Sequence, residues 1–258
     1  MPLSKIEDAL EDIKAGRMII IVDDEDRENE GDLTMAAELV TPEAINFMAT
    51  FGKGLICVPM LAQRLKELNL PLMVQDNTAP LSTAFTVSVD SLIGTTTGIS
   101  AQDRAITIRA LADPSTSPSD LGRPGHIFPL QYVEGGVLKR TGQTEASIDI
   151  CRLAGLGEAA VICEIMADDG NMARMPDLEN FSEEHAIKVV SVADLITYRR
   201  RHERLIERVA EARVPTEYGE FRAVSYSSLV DVYEHCLLYT SDAADDTPCV
   251  DLGGRRII

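Results

Sequence analysis

Ile20-Ile21-Val22-Asp23-Asp24-Glu25-Asp26-Arg27-Glu28-Asn29-Glu30-Gly31-Asp32 takes an apolar run straight into seven carboxylates relieved by a single cation, Arg27. Like charges packed this closely repel, so a folded chain keeps such a run as a solvated face or neutralises it with a metal ion or a cationic partner. Solvated faces are the commoner outcome. Two features point the other way. The β-branched residues just before the acids make a short strand, which sets them at a strand end, where clefts of mixed α/β folds lie. Gly31 permits a sharp turn that would let Glu28, Glu30 and Asp32 converge. Hard oxygen ligands of this kind suit magnesium better than zinc.

With 258 residues, 45% of them apolar, the chain has room for one large domain or one domain plus a fragment around a sizeable core. Its net charge of −18 argues against nucleic acid or an anionic membrane surface as partner. Any anionic substrate must therefore meet cations that are clustered locally. The cysteines Cys57, Cys151, Cys163, Cys236 and Cys249 are odd in number, widely spaced and free of CxxC or metal-knuckle patterns, as expected in a reducing compartment. The N-terminal segment lacks an apolar h-region and no apolar run approaches a membrane span, so the cytoplasm is the expected location.

Along the chain, Ser4 and Glu7 have capping-box spacing before a helix that Gly16 ends, and Thr41-Pro42 opens a second helix. Leu55 to Pro59 reads as a buried strand in which Cys57 is by default a small core residue. Phe85 to Asp90 alternates as a strand, and Ser100 with Asp103 caps the helix up to Asp113. The Gly94–Ser100 hydroxyls and glycines suit a phosphate or a plain cap. Asp113 to Gly125 reads as a long loop that delivers His126, beside Arg123 and a glycine, to the start of an apolar strand. Arg140-Thr141-Gly142-Gln143-Thr144-Glu145 opens a helix over Ala146–Leu153 and suits either a phosphate seat or simple capping. Gly155-Leu156-Gly157-Glu158-Ala159-Ala160 fits GxGxxA, but it follows a helix and precedes a strand, which rules out a dinucleotide fingerprint. Glu164 lies inside that apolar strand, where a carboxylate must be paired, hydrogen-bonded or protonated, and so is an acid/base candidate. His185 reads as ordinary surface on a further helix. From Val192 to about Arg213 the charged pattern predicts one long connecting helix.

Taken together, DDEDRENEGD, LICVP, FTVSVD, TGISAQDRAITIRAL, RPGHIFPL, GGVLKRTGQTEAS, LAGLGEAAVICEI and DDGNMAR resemble the 3,4-dihydroxy-2-butanone 4-phosphate synthase family of riboflavin biosynthesis. The resemblance implies a domain over residues 1–200 and a helical linker over 201–213. Residues 214–235, beginning Val214-Pro215-Thr216-Glu217-Tyr218-Gly219, look like a truncated start of a GTP cyclohydrolase II domain. The zinc cysteines and catalytic region of a cyclohydrolase do not appear, so that activity is not expected. Residues 236–258 depart abruptly from either family and read as translated sequencing-adapter read-through, a non-native tail expected to pack poorly.

Periodicity alone predicts only mixed α/β. The resemblance implies an α/β (α+β) sandwich, a mixed sheet between helices, as a homodimer with its sites near the subunit interface. It further implies conversion of D-ribulose 5-phosphate to L-3,4-dihydroxy-2-butanone 4-phosphate and formate with magnesium or manganese. Carried over position by position, Arg27 and Asp32 contact substrate, Glu28 binds the metal and Glu30 is an acid/base candidate. His126 and Glu164 fall on essential positions, Cys57 on a thiol lining the site, and Arg140, Thr141, Gly142, Gln143 and Thr144 on the phosphate-binding turn. Many members have a histidine metal ligand where this chain has Gln143; its carbonyl oxygen suits magnesium, but it cannot shuttle a proton. Weaker metal affinity with chemistry retained is the expectation, against the alternative of a degenerate domain that binds sugar phosphate without turnover.

Overall fold

Helix α1 (Ile6–Lys14) leads into strand β1 (Ile19–Val22), all four of whose residues are buried, as expected of an unbroken apolar run covered on both faces. The Ser4 backbone N–H donates to Val189 O, so the capping box expected there does not form and Lys5 is the N-cap. The computed structural model describes residues 3–230 and 232–240. After β1 the chain returns as β2 (Gly31–Ala36). Thr41 then caps α2 (Pro42–Phe47), accepting from Ala44 N–H with Pro42 in the first turn. A π-helical turn, Met48–Gly52, and Lys53 at φ 69° swing the chain into β3 (Cys57–Met60) and α3 (Ala62–Glu67). There follow β4 (Val89–Ser91), α4 (Ala101–Ala112), β5 (Leu121–Gln131), α5 (Gln143–Leu153), β6 (Ala160–Glu164), α6 (Met175–His185), β7 (Val189–Ser191) and α7 (Val192–His202).

These strands make one seven-stranded mixed sheet in the order β4-β5-β3-β6-β2-β1-β7, parallel at β3/β5 and β1/β7 and antiparallel elsewhere. Helices α1 and α5 cover one face; α2, its π-turn and α4 cover the other. Alternation assigns the side chains. Ile20, Val22, Leu33, Met35, Val161 and Cys163 enter the core beneath α2 and α4, packed with Ile45, Met48, Ile108 and Leu178. Thr34, Ile162, Cys57 and Phe128 align across β2, β6, β3 and β5 on the α5 face, and Asp32 and Glu164 continue that face two residues on. Among the described residues no helix is long and apolar enough to cross a membrane.

Several expectations are corrected. The strand read over Phe85–Asp90 pairs regularly only at Val89–Ser91, because Thr86 N–H donates to Pro129 O while Val87 N–H donates to Pro71 O, and the segment is shared between two partners. The loop read as far as Gly125 ends at Leu121, so His126 sits within β5 rather than at a strand start. His185 is not ordinary surface: its ring packs against Phe47, Phe51 and Phe181 at centroid distances of 5.0, 4.8 and 4.4 Å.

The long helix, and with it the helical linker at 201–213, does not form either. Helix α7 stops at His202, and Ile206–Thr216 is strand β8, paired antiparallel with β9 (Gly219–Ser228), which pairs in turn with β10 (Glu234–Thr240). Ile206, Val209 and Val214 favour the strand, Pro215 has no N–H to give a helix, and charge pairing runs across strands where Arg222 meets Glu211. Of the tail expected at 236–258, residues 236–240 belong to β10, and 241–258 lie outside the described residues. The chain divides into two units, Met1–Ile196 and Thr197–Ile258.

Gly31 also has a different role from the one its sequence suggests. The left-handed residue of the acidic turn is Asn29, at φ 55°, while Gly31 begins β2 in extended backbone. A Cβ at Gly31 would lie 2.7 Å from Leu178 Cδ1 and 3.2 Å from Ile20 Cγ2, so its missing side chain lets α6 close over the sheet. Gly31→Ala is expected to cost about 1–3 kcal/mol of stability through overpacking. Urea denaturation reads this directly, and an unchanged midpoint would show that Leu178 moves aside freely.

Candidate active site

The acidic turn is built around Asp23, a residue the sequence offered only as one acid among seven. Its buried carboxylate accepts from Arg27 Nη1 at 2.6 Å and from the backbone N–H groups of Glu28 and Glu30 at 3.2 and 3.0 Å. From the other side Arg174 Nη1 donates to Glu28 O at 2.8 Å and to Asn29 O. The peptide carrying Glu28 is therefore held at both its N–H and its C=O. Asp24, Glu25 and Asp26 remain exposed, whereas Asp23 and Asp32 are buried and Glu28 and Glu30 are half-buried.

Next to this turn, Asp32 and Glu164 sit directly opposite each other across the β2/β6 ladder. Glu164 Oε2 accepts from Leu55 N–H at 2.8 Å, a bond possible because Gly54 has no side chain: a Cβ there would lie 2.6 Å from that oxygen. Burial first, then repulsion from Glu164, Glu28, Glu30 and Asp23, holds the Asp32 carboxyl well above its ordinary range. Glu30 is raised by burial and by Glu28, with Arg174 opposing. Glu164 is raised chiefly by burial. These are carboxyls that keep their protons above the ordinary carboxylate range, the property asked of acid/base groups. Cys57, on the same face, is 2% exposed, and burial together with Glu164 and Asp32 pushes its thiol far above the usual range, so it lines the cleft as a neutral S–H and not as a nucleophile.

Across from the acids stands α5. It begins at Gln143, three residues earlier than the sequence suggested, with Gly142 as a cap that supplies no side-chain acceptor. Two guanidinium groups converge there: from the point where a Gly142 Cβ would sit, Arg140 Nη1 is 2.6 Å and Arg27 Nη2 3.0 Å away. Arg140 is braced by Glu145 at 2.6 Å, by Leu81 O and by Thr83 Oγ1; Arg27 is braced by Asp23 and donates to Gln143 Oε1 at 2.9 Å. Two cations at a helix N-terminus favour an anion there, with Glu145 Oε2 lying 3.0 Å from the same point. Gln143 and Thr144 are buried in its first turn, whereas Thr141 is exposed just outside it.

The structure thus brings Arg27, Glu28, Glu30, Asp32, Cys57, Arg140, Gly142, Gln143, Thr144 and Glu164 into one region. It does not bring in His126 by hydrogen bonding: that ring pairs with Asp90 on the neighbouring strand. The donor set also bears on a metal. Among the described residues no three carboxylate, imidazole or thiol side chains converge as a closed cage. Magnesium needs only one or two protein oxygen ligands, with water and substrate completing its shell, and a divalent charge beside Asp32 would relieve the crowding that raises it.

The 3,4-dihydroxy-2-butanone 4-phosphate synthase family model matches residues 7–198. A probable bifunctional riboflavin biosynthesis protein of Oryza sativa subsp. japonica is 54% identical over 244 residues, which is 94% of this chain and 44% of that protein. The chain spans about half the length of the curated relatives it matches. Among solved structures, a two-domain 3,4-dihydroxy-2-butanone 4-phosphate synthase from A. baumannii matches 96% of this chain and 76% of its own at 45% identity and a TM-score of 0.86. A synthase of that name in complex with two magnesium ions matches 78% of this chain and 99% of its own at 43% identity and a TM-score of 0.74.

The raised Asp32 carboxyl has a stability consequence. Folded Asp32 keeps its proton to higher pH than unfolded Asp32, so its contribution to stability falls as pH rises from the ordinary carboxylate range through the raised value. Asp32→Asn removes that loss. Without divalent cations the variant should be more stable than the parent at pH 8, with the gap shrinking toward pH 5. Urea titrations at the two pH values check this; a gap independent of pH would place the raised proton elsewhere in the cluster.

Proposed function

This chain belongs to the 3,4-dihydroxy-2-butanone 4-phosphate synthase family, and we propose that it converts D-ribulose 5-phosphate to L-3,4-dihydroxy-2-butanone 4-phosphate and formate in riboflavin biosynthesis, with the synthase domain over residues 1–200. The observation that carries the reading is the juxtaposition of a two-arginine anion seat with a bank of carboxyls whose protons are held above their ordinary range. A sugar phosphate needs both, one to anchor its phosphate and the other to enolise, dehydrate and rearrange its carbon chain.

Arg140, Arg27 and the first-turn N–H groups of α5 hold the phosphate, with Thr144 lining the seat. Glu28 and Gln143 would hold magnesium or manganese, which would supply positive charge where the substrate's oxygens gain negative charge. Glu30, Asp32 and Glu164 exchange protons with the substrate's hydroxyls and carbons, and the neutral Cys57 thiol packs beneath them. His126 is a further acid/base. Within one chain its ring pairs with Asp90, and Leu92, Ile93 and Ile99 near its strand are exposed, which supports a homodimer in which the site is completed near the subunit interface. The described cysteines are free thiols, in keeping with a reducing compartment such as the cytoplasm.

Formate release from ribulose 5-phosphate by the purified protein tests the reading. Release that requires magnesium and stops with chelator is expected; folded protein that binds the substrate and yields no formate would overturn it. Gln143→His should lower the magnesium concentration for half-maximal release about tenfold, equivalent to ~1.4 kcal/mol. An unchanged requirement would remove residue 143 from the metal's ligands.

A further inference from the structure

We propose that Asp90 is a positioning residue that fixes the tautomer of His126, holding the proton on Nδ1 and presenting Nε2 as a bare acceptor toward substrate. The inference rests on the acid/base reading of His126 for its catalytic meaning, though not for its geometry.

Both oxygens of Asp90 are committed to a single residue. Oδ1 accepts the backbone N–H of His126 at 2.9 Å, and Oδ2 lies 2.7 Å from ring Nδ1. A carboxylate offers only acceptors, so the Nδ1 that faces it must carry the hydrogen, and the lone pair falls to Nε2. An unrestrained imidazole favours the opposite form. The pairing is a product of strand geometry: the register between β4 and β5 shifts between Val89 and Asp90, which turns the Asp90 carboxylate along β5 toward His126.

The surroundings leave the dyad no slack. A Cβ at Gly125 would fall 2.2 Å from Asp90 N, so that glycine lets the two strands close up. A Cβ at Gly98 would fall 2.0 Å from Asp90 Oδ2 and 2.6 Å from His126 Nδ1, so the bare backbone of Gly98, at φ +90°, forms the back wall. That wall is fixed in turn by Asp103 Oδ2, which accepts from Gly98 N–H, Thr96 N–H and Thr96 Oγ1 at 3.0, 3.2 and 2.8 Å. The hydroxyl-and-glycine segment before α4, which suited a phosphate or a cap from its sequence, is thus a support for the dyad. Asp90 is 17% exposed at its side chain and His126 41%, so the ring is anchored at one edge and open at the other.

Asp90→Asn gives a discriminating test because the two hydrogen bonds make opposite demands on an amide. The backbone N–H of His126 can only donate and takes the amide oxygen; the amide NH2 then faces Nδ1, which must become an acceptor and send its proton to Nε2. Two-bond 15N–1H correlation spectra of the full chain report the tautomer. The signal of His126 is identified among the chain's four histidines by its loss in His126→Gln. The parent should show the Nδ1–H form and Asp90→Asn the Nε2–H form, with kcat for formate release down by about 10²–10⁴ and KM within about threefold. An Nε2–H parent, which needs no variant to observe, overturns the proposal. So does an Asp90→Asn spectrum that keeps the parent pattern, or an inverted tautomer with kcat intact. Absence of formate from the parent would count against the proposed reaction alone, since the spectra still decide what Asp90 does to the ring.

Discussion

Repulsion between Asp32 and Glu164, set side by side across the β2/β6 ladder with Glu28 and Glu30 close by, is the constraint around which the first unit is arranged. Buried like charges are tolerable only if some stay protonated or if positive charge is held within reach, and this chain uses both means. Burial keeps protons on the interior carboxyls. Two cations then meet the acidic turn by different geometries: Arg27 by side-chain contact with the buried Asp23 and the half-buried Glu28, Arg174 by gripping backbone carbonyls of the turn. A guanidinium bound to carbonyls fixes the position of the turn and only partly offsets the burial and the Glu28 charge that raise Glu30. The acidity of the cleft therefore survives its own scaffolding.

Arg27 joins the two halves of the site. Its guanidinium touches Asp23, Glu28 and the Gln143 carbonyl oxygen and also overlooks the N-terminus of α5. A neutral amide at 143 accepts a hydrogen bond from this arginine, whereas a protonated histidine there would repel it. The substitution consequently changes more than a prospective ligand, because it ties the anion seat to the acidic turn through one hydrogen bond. The same atom cannot direct one lone pair both at Arg27 and at a cation, so Gln143 Oε1 would have to use its second lone pair or turn.

Much of this was legible in the sequence, and the reasons for the rest are physical. β1, α2 with its Thr41 cap and the rejection of the glycine pattern at Gly155 followed from local rules, since each depends on residues within one turn or strand. The start of α5 was missed by one turn because Gly142 caps without a side chain, leaving no Ser or Asp to mark it. The segment after His202 was misread because alternating Arg and Glu satisfy helical pairing and cross-strand pairing equally, and only Pro215 and the β-branched residues argued for strand. Family resemblance located most of the cleft, but it did not separate Asp23 from its six acidic neighbours. That distinction depends on the carboxylate being turned inward onto two backbone N–H groups, which no composition reveals.

The two kinds of proton control in this chain also explain why its acid/base residues are split between strands that are not adjacent. In the acidic cluster, proton affinity is set collectively: a change at Glu28 alters Asp32, Glu30 and Glu164 together, because each is felt by the others through space. Such a bank buffers well and discriminates poorly between its members. The imidazole of His126 is governed instead by one neighbour through a directional bond, which decides which nitrogen is free and not how many protons the site holds. It stands on β5, with β3 between it and the carboxyls of β6, and its Nδ1 is held by Asp90 rather than by a member of the cluster. The proposed reaction, which would both enolise and rearrange a carbon chain, would draw on both kinds of control: protons exchanged within the bank and one acceptor whose direction is fixed.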